Sequence, residues 1–111
     1  MVTLTNVGTS YDAIAASKGL GIGLIDFTGA TSLQFVVKVN KVGNGTQSWQ
    51  LWNDTDGIEI AVMTDTGSTG DKVLDQTFAV NLTGVKMVRV RAKSTTNADD
   101  PVFYGAAVLL T

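Results

Sequence analysis

From Leu33 to Asn40 apolar and polar positions alternate, with Leu33, Phe35, Val37 and Val39 on one parity and Gln34, Lys38 and Asn40 on the other. A period of two puts successive side chains on opposite faces, so the run reads as a strand with one buried face. Thr46 to Asn53 alternates again, with Trp49 and Leu51 on one face and Ser48, Gln50 and Trp52 on the other. Between them, Val42-Gly43-Asn44-Gly45 carries the glycines that a tight hairpin uses, and the two runs are expected to pair with each other.

The same pattern continues along the chain. Gly19-Leu20-Gly21-Ile22-Gly23 is glycine-rich, but Leu24-Ile25-Asp26-Phe27 follows as strand and no Lys-Ser or Lys-Thr follows the last glycine. It therefore reads as a strand bulging against another backbone rather than a phosphate loop. Asn53-Asp54-Thr55-Asp56-Gly57 is a turn, since Asn and Asp bond their own backbone and glycine accepts positive φ. Ile58, Ile60 and Val62 follow in strand phase with Glu59 facing out, and residues 65–71 read as a surface loop. Lys72 to Leu82 is a strand with Leu74, Phe78, Val80 and Leu82 in phase. Val85 to Lys93 puts Val88, Val90 and Ala92 on one face and Arg89, Arg91 and Lys93 on the other. Val102 to Leu110 is apolar on both faces, as in a strand central to its sheet or covered by a partner. Residues 1–19 hold two short candidate strands, Val2 to Thr5 and Tyr11 to Ala16, and read as an N-terminal arm or edge strands. Residues 20–111 form the domain proper. About eight short strands separated by turn signals, with no convincing helix, predict an all-β, two-sheet antiparallel β-sandwich of jelly-roll type. Its expected core is Phe35, Val37, Leu51, Ile60, Phe78, Val80, Val88 and Val90.

Composition narrows the chemistry. The chain has 111 residues, 44% of them hydrophobic and 16% charged, with net charge −2. It lacks both cysteine and histidine. Without imidazole or thiol, Ser-His-Asp catalysis, thiol nucleophiles and ordinary zinc or copper sites are excluded, and no cofactor is implied. No apolar run reaches a membrane span and the first residues do not form a signal peptide, so neither a membrane nor export is expected. Asp54, Asp56 and Glu59 have the start of a calcium-loop spacing, but the remaining ligands are missing and a solvated turn accounts for them. Asp99 and Asp100 are adjacent, point apart in extended chain, and read as a cap before Pro101. The sequons at Asn44, Asn53 and Asn81 are chance matches in a threonine-rich chain. Arg89, Arg91 and Lys93 are too short a stripe for a nucleic-acid groove on a chain of pI ≈ 4.7. Trp52, beside Gln50 and Ser48 on a solvent face, has the placement of a sugar-stacking indole, of an interface hot spot, or of a ring simply buried under a long loop.

Leu82-Thr83-Gly84-Val85-Lys86, Val88 to Lys93, Asp99 to Ala106 and Trp49-Gln50-Leu51-Trp52-Asn53 resemble the texture of small β-sandwich virion proteins of tailed bacteriophages. That resemblance implies a non-enzymatic decoration, cement or head–tail accessory subunit in a virion assembled in the host cytoplasm. Its partners would be itself, as a homo-oligomer with trimeric symmetry, and a larger viral structural protein. The candidate interface residues are Trp52, Gln50, Arg89, Arg91 and Tyr104. The alternative reading is a carbohydrate- or receptor-binding β-sandwich module.

Overall fold

The computed structural model describes residues 2–3, 11–13, 21–96 and 99–111. Among them the chain forms strands β1 (Val2–Thr3), β2 (Asp12–Ala13), β3 (Gly21–Asp26), β4 (Ser32–Lys41), β5 (Gln47–Asn53), β6 (Ile58–Asp65), β7 (Gly70–Ala79), β8 (Val85–Ser94) and β9 (Val102–Leu110). One sheet has the order β1-β9-β4-β7. The other runs β2-β8-β5-β6, with β3 beside β2 along the same edge of β8. All pairs are antiparallel. Taking β2 and β3 as one row, consecutive rows fall in opposite sheets except at the β5–β6 hairpin, which is the winding of a jelly-roll sandwich.

This order overturns the expected pairing of the two alternating runs. β4 pairs with β7 and β9, whereas β5 pairs with β6 and β8. Residues 42–46 carry the chain across from one sheet to the other instead of turning it back. Gly43, at φ 86°, supplies the positive φ that such a loop needs, and a hairpin would have needed it too. The N-terminal stretches belong to the sheets: Val2 and Thr3 pair with Phe103 and Val102, and Asp12 and Ala13 with Ala92 and Arg91. The rest of the expected arm lies outside the described residues. β3 bulges between Gly21 and Gly23 against β8, as its glycines predict.

The inward parity of β4 is Leu33, Phe35, Val37 and Val39, each fully buried. Trp49 and Leu51 of β5, Val88 and Val90 of β8, Phe27 and Phe103 complete the centre. Burying side chains of this size is worth about 1.5–3 kcal/mol apiece. Ile60, Phe78 and Val80 only flank this core. On β6 the buried positions are Ala61, Met63 and Asp65, and Ile58 is half exposed. The pairing of β6 with β5 slips between Leu51 and Trp52, a bulge that sets the inward parity of β6 opposite to the one its isoleucines predict. Asp65, expected in a surface loop, is buried at the end of β6 because Lys72 pairs with it at 2.9 Å. β9 lies between β1 and β4, but β1 meets only Val102 and Phe103, so among the described residues β9 is central to its sheet only at its start, and Leu109 is 52% exposed.

At one end of the sandwich the core becomes polar. Lys41 of β4 donates to the Gly67 carbonyl at 2.8 Å. Asp65, Gln47 and Ser94 form one row across β6, β5 and β8. Asp99 accepts a hydrogen bond from the Ser94 hydroxyl at 2.7 Å and packs against the 42–46 loop. Most of these buried polar groups are bonded to one another or to backbone carbonyls, which makes their burial tolerable; Gln47 Oε1 and Asp65 Oδ2 have no partner among the described residues.

Candidate functional site

Alternation on β5 and β8 sends Ser48, Gln50 and Trp52, with Arg89, Arg91 and Lys93, to the outer face of the second sheet. The register sets Ser48 beside Lys93, Gln50 beside Arg91 and Trp52 beside Arg89. β6 adds Glu59 across from Trp52 and Val62 across from Gln50. Tyr11, immediately before β2, completes the group.

These side chains interleave aromatic rings and cations. The Arg91 guanidinium lies 4.3 Å from the Trp52 ring centroid and 5.8 Å from that of Tyr11. Lys93 Nζ lies 4.3 Å from the Tyr11 centroid. Arg91 Nη2 also donates to the Tyr11 carbonyl at 2.6 Å, which fixes the tyrosine to β8. Beneath them Gln50 is 4% exposed and Ser48 6%, although both face away from the core. Gln50 Nε2 donates to Glu59 Oε1 at 2.9 Å. Arg89 is ion-paired with Asp54. Burial pushes the Tyr11 phenol above its ordinary pKa, a bond from Ser48 works against this, Glu59 reinforces it and Arg91 opposes it. Three buried polar atoms here have no partner among the described residues: Gln50 Oε1, Arg89 Nε and Arg91 Nε. An unmet group of this kind costs about 1–3 kcal/mol, which a ligand with hydroxyl groups can recover as the side chains adjust.

Of the residues singled out in the sequence, Trp52, Gln50, Arg89 and Arg91 come together on this face. Tyr104 does not. It lies on the outer face of the other sheet, where its hydroxyl donates to Asp71 Oδ1 at 2.9 Å and Lys38 sits 5.6 Å from its ring centroid. Tyr11 and Glu59 are the members that sequence reasoning did not assign to the group. Tyr11 reaches it through pairing between positions far apart in the chain, for which local periodicity carries no signal. The Asp54-to-Glu59 stretch is tied up as a turn: Asp56 pairs with Lys86 at 2.7 Å and bonds Asn53, and Asp54 pairs with Arg89. Among the described residues no cluster of three or more acidic side chains is arranged to hold a metal ion.

No protein-family model and no curated protein sequence matches the chain. Among solved structures it resembles the carbohydrate-binding module CBM6cm-2 of Cellvibrio mixtus lichenase 5A, in complex with cellotriose. The TM-score is 0.53 at 10% identity, spanning 99% of this chain and 97% of that one. At that identity the likeness defines the fold, a β-sandwich.

Proposed function

We propose that this chain is a non-enzymatic carbohydrate-binding module whose ligand face is the outer surface of the β8-containing sheet. The observation that supports this reading is the pair of half-buried rings, Tyr11 and Trp52, around amide and guanidinium groups with unused hydrogen-bonding capacity. A pyranose offers an apolar C–H face to an aromatic ring and hydroxyls to the polar groups beside it, so a face mixing the two is what sugar recognition needs. The fold shared with a cellotriose-binding module is consistent with this use and does not locate the site. Affinity electrophoresis of the purified chain through a panel of polysaccharides tests it. At least one glycan should retard the chain, and Trp52→Ala and Tyr11→Ala should each weaken that binding about tenfold, the loss of one well-packed aromatic contact. No retardation by any glycan, or retardation of both variants as strong as that of the parent chain, would overturn it.

A second reading, a structural subunit of a phage particle, is favoured by a different observation. Leu24, Met87 and Val85 are 69%, 42% and 56% exposed on neighbouring positions of β3 and β8. Contiguous apolar surface of this kind marks contact with another protein. Under that reading the chain is a homo-oligomer, with a trimer the expected form, bound to a larger viral protein. Light scattering over a range of concentrations separates the two: a concentration-independent monomer that binds glycans rules the assembly out.

A further inference from the structure

We infer that the saccharide taken by this face is acidic, carrying a carboxylate or a sulfate. This deepens the carbohydrate-binding reading and rests on it. Among the described residues, two of the three cations on the face have no carboxylate partner. Arg89 is spent on Asp54, but no ion pair reaches Arg91 or Lys93 among the described residues. Both sit instead over aromatic rings. Of the five N–H donors of the Arg91 guanidinium, one reaches the Tyr11 carbonyl and Nε–H is buried without a partner among the described residues.

Charge makes the arrangement selective. Arg89, Arg91 and Lys93 against Asp54 and Glu59 leave this face one charge positive, while the whole chain is at −2. Glu59 is the adverse charge, and it is engaged by Gln50 Nε2. A guanidinium fork is shaped for a planar carboxylate or a sulfate, and a cation held by aromatic faces stays charged without a competing counter-ion. A neutral sugar would bring no counter-charge to either cation. The nine-tenths-buried Gln50, with its unpartnered carbonyl, adds an acceptor beside them for a sugar hydroxyl.

Isothermal titration of the full chain tests this with four probes at low salt: an oligogalacturonate, the same oligomer with its carboxyls methyl-esterified, sodium sulfate and an oligothymidylate. The free acid should bind at least about tenfold more tightly than the ester, the effect of one charge-assisted contact. That preference should shrink at about 0.5 M salt, where exposed charges are screened. Arg91→Gln and Lys93→Gln should each reduce it, and Glu59→Gln should enlarge it. Equal binding of acid and ester overturns the acidic assignment while leaving a glycan-binding face. Sulfate binding as tightly as the oligomer reduces the site to a bare anion site and overturns it too. Tightest binding of the oligothymidylate makes it a nucleic-acid face instead. Failure of both saccharides overturns the acidic assignment, and failure of every glycan in the electrophoresis panel as well, in a chain whose circular dichroism shows it folded, overturns the reading beneath it.

Discussion

Trp49 and Trp52 share one strand and face opposite ways, and their surroundings differ accordingly. Trp49 is fully buried against Phe103, with ring centroids 5.7 Å apart, while Trp52 is half-buried beneath Arg91. The acidic residues divide in a similar way between buried and exposed positions. Asp56 is exposed, yet the hydrogen bonds of Lys86 and Asn53 hold its carboxyl below the ordinary 3.8. The Thr28 backbone N–H and hydroxyl do the same for Asp26, and Asn40 and Tyr104 for Asp71. Each group therefore binds a proton less readily folded than unfolded, so folding stability rises with pH through this range. The contribution is complete above the unfolded values and is lost as pH falls through the lowered folded ones. With no histidine in the chain, no side chain of ordinary pKa titrates between about pH 5 and 8. The melting temperature should thus be level from about pH 7 to 5 and fall below about pH 4. Asp56→Asn should make that fall shallower. A melting temperature that stays level to about pH 2.5 contradicts the assignment of these three carboxylates.

At the scale of elements, the loop from 42 to 46 shows how much of the fold is written locally. A Cβ added at Gly43 would stand 1.9 Å from Asp99 Oδ1, and the glycine sits at φ +86°. Gly43→Ala should cost about 1–3 kcal/mol through both effects. Replacing Asp99 with alanine should relieve the clash but not the φ strain, so denaturant unfolding of the single and double variants should give a non-additive cycle. Additivity within about 0.5 kcal/mol would show that the carboxylate does not press on this loop. The glycines of this loop were legible in the sequence; that they join two sheets rather than two paired strands was not, because both jobs ask for the same backbone conformation. Alternation gave the faces of β4, β5 and β8 correctly, since each keeps its parity from end to end. It misplaced β6, where the slip between Leu51 and Trp52 changes the inward parity. Four of the candidate residues lie together because they sit on β5 and β8, whose outer parity was legible. Tyr11 escaped, since its position depends on a two-residue pairing at the far end of β8.

Across the whole molecule the jelly-roll winding places β5 and β8 side by side in the middle of one sheet, so their outer face is a rigid surface with its polar side chains in register. No helix among the described residues is long and apolar enough to cross a membrane. The polar end layer, with Trp49 Nε1 and Gln47 Oε1 buried and unpartnered among the described residues, is the competing location for a ligand. The two indoles report on the two places separately, and the measurement that tests the account most directly follows them together. In a nitrogen-15 correlation spectrum each tryptophan gives one indole N–H signal, assignable by Trp52→Phe. During titration with a saccharide that the chain binds, the Trp52 signal should move progressively and saturate while the buried Trp49 signal stays in place. Movement of Trp49 alone, or binding with neither signal displaced, would contradict the assignment of the outer face as the ligand site.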